Sequence, residues 1–307
     1  MVCRKQIKVF IMRNWNGFIS EISDLEVKTY SDAPSFLDVC RNALEEDEIN
    51  AGLIYGIICD LAETNDDYGR EKVFYSAAFN KDGVSLVGLM TTPRNLLLYE
   101  HKNLDDDLLE LFVDNLHLKY KNIPGVTCES KLAKLFSEKW ARKTGCKYNV
   151  NVNMRIHKLT KVNKYNKPNG FFRIAEKNDL ETVTNYIFEF NKDINELVSI
   201  DDAGDLAEKG IANNEVFLWD DNNIVSMAKK LRPTKNGMAV SYVYTPNEYR
   251  GKGYATAVVS ELSRNILDSG KSFCMLYTDL SNPTSNSIYQ KIGYVPLCDS
   301  TNILFEY

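Results

Sequence analysis

A glycine-rich stretch in the last third of the chain combines the residue types that suit binding of an anion. Residues 249–256 (YRGKGYAT) follow an alternating apolar run and precede apolar residues at helical spacing, so the pattern predicts strand, turn and helix. Glycines at 251 and 253 let backbone N–H groups approach a ligand. The helix start adds unpaired N–H groups and the positive end of its dipole. The stretch therefore predicts a site for a pyrophosphate-like anion, although a turn without a ligand is an equal alternative on the glycines alone.

The composition of the whole chain indicates what class of protein contains this turn. The chain has 307 residues, of which 44% are hydrophobic and 26% charged, as is typical of a soluble globular protein with two domains. Its apolar runs are too short to cross a bilayer, so we expect no membrane partner. A net charge of −5 argues against a nucleic-acid partner.

The cysteines and histidines predict neither disulfides nor a metal site. The seven cysteines are an odd number without paired short spacings, which indicates free thiols in a reducing cytoplasm. His101, His117 and His157 are isolated from one another in the sequence. We therefore expect no metal ion and no histidine-based catalytic triad.

Two halves of the chain predict the same order of elements. Each reads helix, helix, hairpin, strand, helix, strand, helix, strand, which suggests an ancient duplication. The predicted division is an extension of unclear role at 1–30, a first domain at 31–160, a polar linker at 161–170 and a second domain at 171–307. Residues Tyr294 to Pro296 and Ile303 to Tyr307 are predicted as two short closing strands.

The second half resembles the GNAT-type N-acetyltransferases. Their phosphate loop reads Gln/Arg-x-x-Gly-x-Gly/Ala, and Arg250, Gly253 and Ala255 fill those places. A second family pattern on the last helix places Asn, a small residue and Tyr in order, matched by Asn282, Ser285 and Tyr289, followed by a Gly–aromatic pair. The match covers roughly residues 171–307.

The resemblance implies an α/β (α+β) fold with two tandem GNAT-like domains, each a mixed, mostly antiparallel twisted sheet flanked by helices. It resembles the bacterial tandem form, with a degenerate first domain and an active second one. It also implies acetyl-CoA as co-substrate, a small-molecule or peptide amine as acceptor, and a monomer or homodimer. The implied acetyl-CoA-binding residues are Tyr242, Val243, Tyr244, Arg250, Gly251, Lys252, Gly253, Tyr254, Ala255, Thr256, Asn282, Ser285, Asn286 and Tyr289.

Tyr289 is the predicted catalytic residue, because a phenol beside the thioester sulfur can protonate the leaving thiolate. The alternative is a packed aromatic ring on the last helix. The residue that accepts the proton of the amine is not identified by the motif. The candidate carboxylates are Asp279, Glu248 and Glu189. Two other functions stay open at this point, namely another acyl or aminoacyl transfer and a non-catalytic acyl-CoA sensor.

The first half resembles a degenerate copy of the same fold. The place of its phosphate turn is taken by residues 99–107, which contain no glycine and four carboxylates. Carboxylates repel a pyrophosphate at close range. We therefore expect no CoA in the first half, which instead would shape the acceptor site or support the second half.

Overall fold

The computed structural model describes residues 25–64, 73–196 and 198–307. The extension predicted at 1–30 lies outside the described residues up to position 24. The helices described are α1 (Ala33–Glu46), α2 (Gly52–Thr64), α3 (Asp106–Lys119), α4 (Ser130–Thr144), α5 (Leu180–Asp193), α6 (Ile200–Ala212), α7 (Tyr254–Asp268) and α8 (Pro283–Ile292). The strands described are β1 (Glu26–Tyr30), β2 (Phe74–Asn80), β3 (Gly83–Met90), β4 (Leu96–Glu100), β5 (Gly125–Glu129), β6 (Lys147–Leu159), β7 (Phe171–Ile174), β8 (Val216–Asp220), β9 (Ile224–Leu231), β10 (Gly237–Tyr244), β11 (Phe273–Asp279) and β12 (Val295–Glu306).

The described strands form one sheet of 12 strands in the order β1-β2-β3-β4-β5-β12-β6-β11-β10-β9-β8-β7. The order is symmetric: if β1 to β6 of the first half are matched with β7 to β12 of the second, the same sequence of strands is met from either edge of the sheet. Within each half the pairing is mostly antiparallel, with one parallel pair, β4–β5 in the first and β10–β11 in the second. The predicted mixed, mostly antiparallel sheet flanked by helices is confirmed.

The two halves exchange their last strands. β6, from the first half, pairs with β11 of the second half, where Ile156 lies opposite Tyr277. β12, from the second half, pairs with β5 of the first half, where Cys128 lies opposite Thr301. β6 and β12 also pair with each other along most of their length. Each half therefore completes its sheet with a strand from the other.

Helices cover both faces of the sheet in each half. In the first half, α1 and α2 bury residues such as Phe36 and Ile58 on one face, and α3 and α4 bury Phe112 and Trp140 on the other. In the second half, α5 and α6 cover one face, and α7 and α8 cover the other. Burial of these amphipathic helix faces is the main stabilising contribution to such layers.

Two elements differ from the sequence prediction. β1 lies in the segment predicted to be an extension, where Glu26 to Tyr30 pair antiparallel with β2. The two short closing strands are instead one continuous strand, β12, with register shifts at Pro296/Cys298 and Asn302/Ile303. The predicted break was wrong because the polar residues between them have buried partners: Ser300 Oγ donates to the Cys128 carbonyl at 3.0 Å, and Thr301 Oγ1 donates to Ser130 Oγ at 2.8 Å.

Within the described ranges, none of the helices has both the length and the apolar character needed to cross a membrane.

Candidate active site

The parallel strands β10 and β11 separate partway along their length. Their paired residues end with Ala239 opposite Met275. Beyond that point β10 also shifts its register against β9 between Ser241 and Tyr244, and Tyr242 adopts a φ of 50°. A bulge of this kind redirects the strand and leaves backbone N–H and C=O groups available to a ligand. The separation of the two strands therefore lies at residues 240–243.

The glycine turn follows β10 after a short 3₁₀ turn at Asn247–Tyr249. Gly251 and Gly253 have φ values of 78° and 88°, which L side chains rarely adopt, and a Cβ atom at either position would meet no atom within 4 Å. The turn thus needs glycine for its backbone conformation, and its outer side is open.

The N-terminus of α7 carries no side-chain cap. The helix begins at Tyr254, its N-cap Gly253 offers no acceptor, and its first turn contains no acidic residue. The first N–H groups of an α-helix have no acceptor within the helix. The backbone of residues 253–256, including Ala255 and Thr256, therefore presents donors and a positive dipole end to the open side of the turn.

The charged and aromatic side chains of the turn point to partners in the protein. Arg250 donates from Nε to the Thr245 carbonyl at 2.9 Å and from Nη2 to Asp193 Oδ2 at 2.8 Å. Lys252 places Nζ 5.5 Å from the centre of the Tyr249 ring. Tyr254 is buried and donates its hydroxyl to Asp221 Oδ2 at 2.6 Å. In this structure the hydrogen-bond donors that the turn offers to an anion are thus backbone N–H groups rather than these side chains.

The start of α8 lies beside the end of β11. Asn282 caps the helix, its Oδ1 accepting the N–H of Ser285 at 3.0 Å. Asn286 donates from Nδ2 to the Asp279 and Asn282 carbonyls at 3.1 and 2.8 Å. These contacts fix the helix entry, and Asn282 itself is exposed to solvent.

Tyr289 lies one to two turns further along α8. It is 9% exposed and packs edge-on against Tyr294, with ring centres 5.9 Å apart. Burial raises the pKa of the Tyr289 phenol. A phenol in this environment stays protonated near neutral pH and can donate its proton.

The aromatic residues of β10 face the α5 side of the sheet. Tyr242 packs against Phe190 with ring centres 5.0 Å apart, and Tyr244 packs against Tyr186 at 5.1 Å. Val243, between them, contacts the core on the α7 side. The alternation of the strand thus directs two tyrosines to one face and the valine to the other.

The three predicted carboxylates do not lie together. Glu189 and Glu248 line the same cleft of about 680 Å³, which also contains Tyr186, Tyr244 and Tyr249. Asp279 instead accepts hydrogen bonds from the N–H and Oγ of Ser281, both at 2.8 Å. Asp279 therefore has the contacts of a turn residue.

Sequence reasoning missed Arg232 and Arg94, which lie near the separated strands. Burial raises the pKa of the Tyr242 phenol, and the positive charges of Arg94 and Arg232 oppose this rise. Burial likewise raises the pKa of Tyr277, and Arg232 opposes it. Arg94 comes from the first half and follows β3. Only the three-dimensional contact between the halves brings these residues together, and no motif in the sequence marks them.

Among the described residues, no cluster of three or more His, Cys, Asp or Glu side chains is placed to hold a metal ion.

Comparisons with known proteins agree with the fold and the motif. Residues 221–302 match the family model described as FR47-like protein. The search of curated protein sequences gave no significant match.

Several solved structures share the fold across both halves. A GNAT-family acetyltransferase from Colwellia psychrerythraea superposes with a TM-score of 0.59 at 14% identity, covering 92% of this chain and 99% of the other. A GCN5-related N-acetyltransferase from Sphaerobacter thermophilus gives 0.60 at 15% identity, covering 92% and 96%. A tandem GNAT protein from the clavulanic acid biosynthesis pathway gives 0.53 at 9% identity, covering 92% and 98%. The chain thus has the GNAT fold, and residues 221–302 are similar to the FR47-like family.

Proposed function

We propose that the protein is an N-acetyltransferase that moves an acetyl group from acetyl-CoA to an amine. The observation that carries this proposal is the arrangement of the second half, where separated strands lead into an uncapped glycine turn. A pyrophosphate on the first-turn N–H groups of α7 would direct the pantetheine arm along residues 242–244, and Asn282 would contact the arm from α8. The thioester would then lie near the bulge at Tyr242.

The proposed reaction is direct attack of the amine on the thioester. The amine lone pair forms the new C–N bond as the C–S bond breaks, and the thiolate takes a proton from the Tyr289 hydroxyl. The amine loses its proton to a carboxylate, either directly or through water. Glu189 and Glu248 are supported as candidates by their shared cleft, whereas the contacts of Asp279 with Ser281 favour a role in the turn.

Backbone groups supply the remaining stabilisation. N–H groups freed by the bulge can donate to the thioester oxygen as negative charge develops on it. Such donors are fixed by the fold, so they need no reorganisation during the reaction.

The proposal includes a cytoplasmic, metal-free enzyme that acts on a small-molecule or peptide amine. The free thiols of the six described cysteines, Cys40, Cys59, Cys128, Cys146, Cys274 and Cys298, support a reducing compartment.

The experiment combines calorimetry with a thiol-release assay. We expect saturable binding of acetyl-CoA and release of free CoA in the presence of pooled amines, with mass spectrometry identifying the N-acetylated product. Tight binding without turnover of any amine would favour an acyl-CoA sensor. Failure to bind acetyl-CoA would contradict the proposal.

A further inference from the structure

Arg232 is placed in an environment that leaves its guanidinium without a full set of partners. Among the residues that the structure describes, its buried Nε atom has no hydrogen-bond acceptor and no carboxylate forms an ion pair with it. A buried donor to which nothing is bonded costs free energy, so each case needs a physical explanation. An anionic ligand that binds only during function would supply the missing acceptor.

The backbone at this place is also unusual. Arg232 and Tyr242 both adopt φ values of 50°, in a region that few non-glycine residues occupy. Such conformations cost free energy and occur often at binding sites, where the surrounding structure holds them. Tyr242 packs on the face of the sheet that is covered by α5. Arg232 directly follows Leu231, the last residue of β9, which lies opposite Ala239, where the pairing of β10 with β11 ends.

The first half closes over Arg232. Gly56 of α2 approaches so closely that a Cβ atom there would lie 2.4 Å from Arg232 Cβ. An ion pair of 3.9 Å between Asp60 of α2 and Lys209 of α6 joins the same two halves. Burial lowers the pKa of Arg232, and the charge of Arg94, from the first half, lowers it further. The same charge opposes the rise that burial causes in the pKa of Tyr242. The site therefore combines arginines from both halves.

The charge around Tyr242 favours an anion. Lys229, whose Nζ lies 5.9 Å from the centre of the Tyr242 ring, is neutralised by Glu215 at 3.2 Å. Arg94 and Arg232 remain, and Glu196 is the carboxylate that acts on both Arg232 and Tyr242. Two arginines beside one carboxylate suit a ligand that carries an anionic group and an ammonium group.

We propose that the acceptor is an amine that also carries a carboxylate, as amino acids do, and that Arg232 and Arg94 bind this carboxylate beside Tyr242. Guanidinium groups match the planar geometry of carboxylates and can bind them through two parallel hydrogen bonds. The carboxylate would hold the amine near the bulge, and the negative charge of Glu196 would favour the ammonium form of the ligand. The identity of the reacting amine rests on the proposed acetyl transfer, whereas the binding of the carboxylate does not require turnover.

The experiment compares three forms of the same acceptors. The CoA-saturated protein is titrated by calorimetry with pooled protein amino acids, with the corresponding amino acid amides and with the decarboxylated amines. Release of CoA from acetyl-CoA is then measured with each pool. We expect the carboxylate-bearing pool to bind, and to be acetylated with kcat/KM at least about tenfold above the amides, because charge-assisted hydrogen bonds exceed neutral ones.

Two variants locate the effect. Arg94→Gln should raise KM for the carboxylate-bearing acceptors about tenfold with little change in kcat, and should reduce the preference for acid over amide. Arg232→Lys should reduce the same preference, while acetyl-CoA binding shows that the variant is folded. The matched control is Arg142→Gln, an exposed arginine on α4 of the first half, which should leave KM and the preference unchanged.

The outcomes separate this inference from the proposed acetyl transfer. Equal binding of acids and amides, or preference for the decarboxylated amines, would overturn the carboxylate site even where acetylation is observed. Selective binding of the acids without any acetylation would support the carboxylate site and contradict the proposed acetyl transfer. An unchanged acid preference in Arg94→Gln and Arg232→Lys would overturn the assignment to these arginines.

Discussion

The two halves place corresponding helices after corresponding strands, but the helix starts differ in charge. At α3, in the first half, Asp105 caps the helix by accepting the Leu108 N–H at 2.7 Å, and Asp106 and Asp107 follow in the first turn. At α7, in the second half, Gly253 provides no cap and the first turn contains no acid. The backbone donors that are satisfied internally in α3 are thus available to an anion in α7.

The last helices of the two halves differ in the side chain at one corresponding position. Tyr289 is the seventh residue of α8, and the seventh residue of α4 is Phe136, which stacks on Trp140 at 6.1 Å. The first half therefore has a ring of similar size without the hydroxyl. The two halves thus share one arrangement of strands and helices, whereas the groups suited to phosphate binding and proton donation occur in the second half.

Separating the halves should have the largest effect. A chain of residues 161–307 lacks β6, so β11 loses its antiparallel neighbour and β12 loses both of its partners. Unpaired strand edges expose backbone donors and acceptors and favour aggregation. We expect this fragment to show no cooperative urea unfolding and no acetyl-CoA binding.

The matched control keeps both pieces and cuts only the linker. A protease site inserted between Asn166 and Lys167 interrupts the chain without removing a strand, so the cut protein should stay folded and bind acetyl-CoA. Cooperative unfolding of the isolated 161–307 fragment would show that the strand exchange is not required.

Tyr289→Phe makes the second half like the first at this position. Loss of the proton donor should lower kcat about a hundredfold, with a small change in KM for acetyl-CoA. Because burial raises the pKa of Tyr289, the wild-type rate should not fall through loss of this proton below about pH 10, the ordinary pKa of tyrosine. Steady-state kinetics across pH test both statements, and unchanged kcat in the variant would exclude the acid role.

The entries to α1 and α5 give a comparison of stability. In the second half Asp179 is buried and forms two hydrogen bonds with Arg173, at 2.7 and 3.0 Å. In the first half Asp32 is exposed and caps α1 through the Ser35 N–H at 2.8 Å. Asp179→Asn should reduce the free energy of unfolding by about 2 kcal/mol at pH 7, because a charge-assisted pair is lost. Asp32→Asn should be close to neutral, since asparagine caps helices as well as aspartate does.

The contribution of Asp179 to the free energy of unfolding should decrease as the pH falls. The hydrogen bonds from Arg173 lower the pKa of Asp179, so this stabilisation is present above the unfolded pKa of about 4 and is lost as the pH falls through the folded value. Urea midpoints of wild type and Asp179→Asn should therefore converge as the pH falls below the folded pKa of Asp179. A difference that stays constant down to acid pH would contradict the ion pair as its source.

A charge placed at Gly253 should make α7 resemble α3. Gly253→Asp introduces a carboxylate where phosphate is expected, and Gly253→Asn has nearly the same shape without charge, with both residues tolerating positive φ better than most. We expect the aspartate variant to bind acetyl-CoA at least about tenfold more weakly than the asparagine variant in calorimetry. Equal affinities would place the pyrophosphate away from this helix start.

Much of the fold followed from local sequence signals. The Asp82-Gly83 turn predicted the β2–β3 hairpin, and Gly293 ends α8 with a φ of 114° as expected of a helix-terminating glycine. The glycine turn and its flanking strand and helix were likewise predictable, because glycine and apolar spacing act within a few residues.

The exchange of strands was not predictable in the same way. The alternation of β6 indicates a strand but does not specify its neighbours, which come from the other half. The polar run in β12 has the composition of a turn. It forms a strand because Ser300 and Thr301 make hydrogen bonds to residues more than 100 positions away in the sequence. Arg250 shows the same limit within the site, since its pairing with Asp193 depends on how α5 crosses the sheet.

We propose that the molecule has one donor site, formed at Gly253 in the second half. The most direct measurement is the stoichiometry of acetyl-CoA binding to the full chain by titration calorimetry. We predict one acetyl-CoA per chain, with affinity that falls in Gly253→Asp. Two molecules per chain, or one whose affinity does not respond to Gly253→Asp, would contradict the claim.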